Sequence, residues 1–225
     1  MINKIYHMPN EHLVNLMLKH DIRFDLCYAD MLFDDFDPSQ LTWIDLMKEV
    51  AAPTSTLYIH TDQRSVCEVK AYAEQAGWHF KSWIIWSYNW GGRSPRMWGA
   101  KHDDILMFTR DKKIWTFNAR DVAIPKKTLI NSTKDWQIPT DVWDIQIVHT
   151  MSAEKKEGGG RVWQKPRVLM ERIIKASSNA GDLVFDPFGG TFTTAVVAKV
   201  LGRNYISCDT EAECVEIGNQ RLRGW

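Results

Sequence analysis

Val184-Phe-Asp-Pro-Phe-Gly-Gly-Thr-Phe-Thr-Thr194 is the stretch that decides the fold. It opens on an apolar, strand-like run, turns at Gly189 and Gly190, and continues into Thr193–Leu201, which reads as a helix. Glycines in a strand–turn–helix unit let a ligand approach the backbone, and the helix N-terminus favours negative charge. No Gly-Lys-Ser/Thr follows, so this is not a P-loop, and it is not the dinucleotide G-x-G-x-x-G. One strand later, Tyr205-Ile-Ser-Cys-Asp209 ends on an acid. An acid about 20 residues beyond such a turn is placed to bind ribose hydroxyls. Together they point to a ribose-bearing ligand without a large phosphate demand. The bland alternative is a tight turn and a surface acid.

Outward from this turn, strand and helix patterns alternate. Strands are expected at Phe24–Ala29, Ser55–His60, Trp78–Trp86, Asp104–Thr109, Ile114–Phe117, Asp182–Phe185 and Asn204–Cys208. Helices are expected from Asp37, over Gln63–Gln75, after Lys165-Pro166 with Val168, Leu169, Ile173 and Ile174 on its face, over Thr193–Leu201 and over Glu211–Leu222. Gly91–Arg96, Asn131–Lys134 and Glu154–Gly160 read as loops. The alternation predicts one α/β domain with a mostly parallel central sheet and helices on both faces.

The 225 residues carry 28 Lys+Arg and 28 Asp+Glu, so the formal net charge is zero. That average hides structure: residues 1–80 hold 6 basic and 12 acidic side chains, whereas residues 81–134 hold 11 basic and 4 acidic. Nine of the eleven tryptophans lie between Trp78 and Trp163. A basic stretch interleaved with aromatics can pair phosphates and stack bases; a solvated region around an aromatic core is the competing reading. No apolar run approaches the ~20 residues of a membrane span. The start has no apolar leader stretch. Cys27, Cys67, Cys208 and Cys214 form no C-x-x-C pair, and reduced thiols without a metal are expected.

Asp186-Pro-Phe-Gly-Gly-Thr-Phe-Thr-Thr194 resembles the D-P-F-x-G-S-G-T-T motif of S-adenosylmethionine-dependent amino-methyltransferases of DNA. Gln164-Lys165-Pro166 is similar to the Q-K-P of that family, and Asp30-Met-Leu-Phe33 stands where the family has its catalytic D-P-P-Y. The order, catalytic motif first and cofactor motif last, resembles the permuted β group. Lys101–Phe108, Trp115–Asn118 and Asp141–Ile145 resemble its connecting segments, so the likeness covers nearly the whole chain.

The resemblance implies a Rossmann-like class I methyltransferase fold with a catalytic part at 1–86, a basic target-recognition part at 87–160 and a cofactor part at 161–225. It implies methyl transfer from S-adenosylmethionine to an exocyclic base amine in double-stranded DNA, with N6 of adenine favoured by the catalytic Asp. The alternatives are N4 of cytosine, an RNA or protein amide substrate, and a catalytically silent DNA- or cofactor-binding module. Asp30, Met31, Leu32 and Phe33 are the implied catalytic residues. Lys165, Asp186, Phe188, Gly190, Thr191, Thr193 and Asp209 are the implied cofactor residues, with Lys165 near the methionine end. Arg93, Arg96 and Lys101 are candidates for DNA contact, and Trp90 and Trp98 for stacking. The implied setting is the cytoplasm of a bacterium or phage-infected cell, without membrane attachment, and with a homodimer supplying a second DNA surface.

Three departures bear on activity. Pro-Pro is replaced by Met31-Leu32, the last glycine of G-S-G by Phe192, and the H-P-T before Q-K-P by Arg161-Val-Trp163. Met31 still offers a backbone carbonyl, but two fixed φ angles are lost, so that loop must be held by packing. At Phe192 the backbone is expected to avoid φ > 0. Its ring either covers the cofactor or plugs the core, and the plug is the preferred reading.

Overall fold

The computed structural model describes residues 1–31, 37–92, 95–126, 135–160 and 163–225. The chain runs β1 (Lys4–His7), α1 (Asn10–Lys19), β2 (Phe24–Asp30), a 3-10 turn (Pro38–Thr42), α2 (Trp43–Glu49), β3 (Ala51–Thr61), α3 (Val66–Gln75), β4 (His79–Ser87) and β5 (His102–Thr109). It continues through β6 (Ile124–Pro125), β7 (Trp136–Gln137), β8 (Val142–Asp144), α4 (Ala153–Glu157), α5 (Arg167–Ser177), β9 (Leu183–Asp186), α6 (Thr193–Val200), β10 (Asn204–Asp209) and α7 (Ala212–Arg223).

Eight strands form one sheet in the order β1-β10-β9-β2-β3-β5-β4-β8, and β6 pairs with β7 separately. All neighbours in the large sheet are parallel except at β5, which runs antiparallel to both β3 and β4. Successive side chains on a strand face opposite sides, so each strand feeds two cores. Cys27 and Ala29 of β2 join Phe185 of β9 against α1, α2 and α3. Leu26 and Tyr28 join Val184 against α5, α6 and α7. Burial on both faces is why these strands read as continuous apolar runs.

Several expectations change. Ile114–Phe117 is not a strand. The Asp111 carboxylate accepts from the Lys113 and Ile114 backbone N–H groups, at 2.6 and 2.8 Å, and turns the chain away from the sheet. Glu154–Gly160 is partly helical, because the Ser152 hydroxyl accepts from the Lys155 N–H at 3.1 Å and caps α4. Val168 is 58% exposed, and Leu169, Met170, Ile173 and Ile174 make the buried face of α5. The helix from Asp37 begins as the 3-10 turn, with Asp37 and Gln40 forming a capping box. The sequence pattern assigned nothing before Phe24, where β1 and α1 form. β1 is a partly exposed edge strand, and α1 carries its apolar Leu13, Val14 and Met17 among polar residues.

The backbone at Phe192 contradicts its expectation: its φ of 57° and ψ of 33° are left-handed. A left-handed non-glycine residue costs about 1–2 kcal/mol. Its ring is completely buried, as the plug reading required. A Cβ added at Gly189 or Gly218 would lie 2.3 Å from atoms of that ring, so both glycines make room for it. The four cysteines are free, and no helix among the described residues is long and apolar enough to cross a membrane.

Gly218→Ala should therefore destabilise the protein by about 1–3 kcal/mol through overpacking. The loss should shrink in a Phe192→Ala background, as measured by urea unfolding. Equal losses in both backgrounds would show that the Phe192 ring is not the obstacle.

Candidate active site

β9 and β2 lie side by side and parallel, yet the chain leaves them in opposite directions. From β9 it passes through α6 to β10 on one side; from β2 it passes through α2 to β3 on the other. Connections that diverge in this way leave a crevice beyond the carboxyl ends of the two strands. Asp186 is the last residue of β9 and Asp30 the last of β2. Strand order alone thus brings the two quoted motifs together.

Two cavities open there. One, of about 810 Å³, is lined by Asp30, Met31, Trp43, Trp163, Gln164, Phe188, Gly190, Thr191 and Asp209 among others. The second, of about 370 Å³, is lined by Asp30, Met31, His60, Tyr88, Trp90, Asp103, Trp163 and Lys165 among others. Asp30, Met31 and Trp163 border both.

The glycine turn shapes the larger cavity. The Asp209 carboxylate accepts from the Gly190 N–H and the Glu211 N–H, each at 2.8 Å, which ties the turn to the end of β10. Gly190 has a φ of +52°, which suits glycine. Trp43 and Phe188 meet edge to face with centroids 5.2 Å apart. Among the described residues, the buried Trp43 Nε1 donor and Gln164 Oε1 acceptor have no protein partner. Aromatic walls and several carboxylates fit a cationic nucleoside such as S-adenosylmethionine.

Not all the expected cofactor residues face this space. Phe188, Gly190, Thr191 and Asp209 line it. Asp186 and Thr193 are buried beneath it and hold the turn: Asp186 accepts from the Phe188 N–H at 3.0 Å, and the Thr193 hydroxyl accepts from buried Arg221 at 3.0 Å. Lys165 sits at Asp30, on the boundary of the two cavities. Its ammonium lies 2.6 Å from Asp30 Oδ2 and borders the smaller cavity. Burial pushes the Asp186 carboxyl up to about 7; bonds from Thr194 and Phe188 oppose this, and the charges of Asp30 and Asp209 add to it.

Leu32, Phe33 and Arg93 lie outside the described residues. Arg96 and Lys101 sit on the exposed segment between β4 and β5. Lys101 donates to the Asn89 carbonyl at 3.0 Å and so closes the base of that segment. Trp98 there is 98% exposed and Trp90 60%. The tryptophan excess divides between roles: Trp78, Trp86 and Trp143 are core residues, while Trp90 and Trp163 border the cavities. His60, Tyr88, Asp103, Trp43 and Gln164 were not singled out from sequence. Only Gln164 had a usable signal, its place in Gln-Lys-Pro.

A family model described as DNA methylase matches residues 5–220. The chain belongs to that family. Type II methyltransferase M.HpaI of Haemophilus parainfluenzae is 37% identical over 183 residues, covering 80% of this chain and 57% of that protein. DNA adenine methyltransferase YhdJ of Escherichia coli (strain K12) is 37% identical over 155 residues, covering 63% of this chain and 52% of that protein. The chain thus spans little more than half the length of both relatives. The crystal structure of an M1.HpyAVI–SAM complex superposes with a TM-score of 0.73 at 23% identity, covering 97% of this chain and 98% of that one. That likeness shows a shared class I methyltransferase fold.

The raised Asp186 carboxyl has a consequence for stability. Between about pH 4 and pH 7 the folded chain holds a proton that the unfolded chain has released. Stability from this group is therefore greatest at low pH and falls as pH rises to about 7, by a few kcal/mol in order of magnitude. Asp186→Asn should remove that part of the pH dependence in denaturant unfolding across this window. An unchanged slope would show that Asp186 titrates normally.

Proposed function

We propose that this chain transfers a methyl group from S-adenosylmethionine to the exocyclic amine of a base in double-stranded DNA, with N6 of adenine as the target. One observation carries the reading: Asp30 stands on the boundary of both cavities, so a single carboxylate borders the cofactor space and the space for a second substrate. Membership of the DNA methylase family supports the reaction class. The adenine-directed name of the relative YhdJ supports the choice of base.

The larger cavity would take the cofactor, with Asp209 toward the ribose and Phe188 and Trp43 against its apolar parts. When bound, S-adenosylmethionine supplies an electrophilic methyl group on a cationic sulfur. The smaller cavity would take a base turned out of the duplex, since the amine is otherwise out of reach. Tyr88, Trp90 and Trp163 offer aromatic surface there, and stacking on such surface contributes about 1–3 kcal/mol per base.

Asp30 accepts a hydrogen bond from the amine, and the Met31 carbonyl accepts the other. Together they draw the nitrogen lone pair out of conjugation and aim it toward the larger cavity. Asp30 then takes the proton that the amine gives up. Holding both reactants at one carboxylate supplies the proximity and orientation on which most of the rate depends. Arg96 and Lys101 would meet phosphate.

Incubation with duplex DNA and S-adenosylmethionine, followed by nucleoside mass spectrometry, should yield N6-methyladenine. Asp30→Ala should lower the rate by at least about 10²-fold. N4-methylcytosine instead would move the target base. Bound cofactor without any modified nucleoside would leave the silent-module reading in its place.

A further inference from the structure

Strand register places a row of polar side chains across the carboxyl edge of the sheet. Asp30 of β2 is paired directly with His60 of β3, and β5 lies beyond, with Asp103 near its start. His60 is 3% exposed. Its Nδ1 lies 3.1 Å from Asp30 Oδ1 and 2.8 Å from the Tyr28 hydroxyl. Its Nε2 lies 3.1 Å from Asp103 Oδ2. The Tyr88 hydroxyl donates to the other Asp103 oxygen at 2.8 Å. Trp86 packs against the imidazole edge to face, with centroids 5.5 Å apart.

The chain of contacts runs one way, from Tyr88 and Asp103 through the buried His60 to the proposed catalytic carboxylate. Tyr88 fixes Asp103, Asp103 fixes the imidazole through Nε2, and the doubly protonated ring, with an N–H on Nδ1 as well, holds Asp30. Burial alone would raise the Asp103 carboxyl, but His60, Tyr88 and the charge of Lys165 bring it below its usual value. It therefore stays ionised as the anchor for Nε2–H. Lys165 holds the second Asp30 oxygen. A carboxylate can accept about four hydrogen bonds, so acceptor positions remain for a substrate amine.

We propose that His60, held by Asp103 and Tyr88, is a positioning residue that sets the direction in which Asp30 faces the substrate amine. This rests on the reading of Asp30 given above. It also gives a physical substitute for the missing Pro-Pro. Met31 and Leu32 lack the fixed φ angle that proline brings, and the side-chain clamp supplies order at the carboxylate itself. A fixed orienting partner behind a reacting group is a recurrent arrangement.

The test compares single-turnover methylation at saturating S-adenosylmethionine and duplex DNA with the Kd of each, for the full chain and for His60→Gln, Asp103→Asn and Asp30→Ala. His60→Gln and Asp103→Asn should each slow methyl transfer about 10- to 100-fold, as misplacement of a reacting group does. The Kd for S-adenosylmethionine should stay within about twofold. The double variant should be no slower than the slower single variant, because the two residues act in one chain. Asp103 is partly exposed, so Asp103→Asn keeps the test open if His60→Gln does not fold. A methyl-transfer rate within about twofold of wild type for either folded single variant, with Asp30→Ala inactive, would overturn this inference and leave Asp30 standing. Weakened binding at an unchanged rate would overturn it as well. A wild-type rate for Asp30→Ala would remove the basis of both readings.

Discussion

The reversal of strand order between β9 and β2 is the constraint on which the rest depends. Two parallel strands whose connections diverge cannot have their carboxyl ends covered by those connections, so a crevice follows from topology. Much of the site hangs on that edge. Asp186 ends β9, Asp209 ends β10 and Asp30 ends β2, while His60 lies one residue short of the end of β3. The pairing of β2 with β9 brings residues 30 and 186 to one edge although 156 positions separate them in the sequence.

Packing behind that edge keeps the crevice open and shaped. Phe192 takes a left-handed backbone in which its ring fills the space beside Gly189 and Gly218, and Arg221 reaches from α7 to the Thr193 hydroxyl. The turn therefore rests on α7 from below and on Asp209 from the side. A mobile glycine loop would bind a ligand only after ordering, whereas a turn supported in this way is already shaped when the ligand arrives.

Much of the fold was legible because parallel strands buried on both faces leave long apolar runs, as at Phe24–Ala29 and Leu183–Phe185. β1 and α1 were not, because an edge strand and a helix with a narrow apolar stripe leave weak patterns. Ile114–Phe117 misled because β-rich composition says nothing of a preceding Asp111 turn. In the site, Asp30, Phe188, Gly190 and Asp209 were readable from motifs. His60, Asp103 and Tyr88 were not: each is an ordinary residue in an apolar strand or beside one, and only the register of β2, β3 and β5 brings them into line. Lys165 was noticed for its motif, but its partner was not predictable, since a long side chain can reach either cavity. The neutral net charge likewise said little, because it averaged an acidic part over a basic one.

The central claim is that Asp30 stands between a cofactor space and a substrate space. A crystal structure with a non-reactive S-adenosylmethionine analogue tests it most directly. The analogue should occupy the cavity bordered by Phe188, Gly190 and Asp209, with its ribose hydroxyls at Asp209 and its sulfur-equivalent end toward Asp30. An analogue bound in the cavity bordered by His60 and Tyr88, or bound with that end turned away from Asp30, would contradict it.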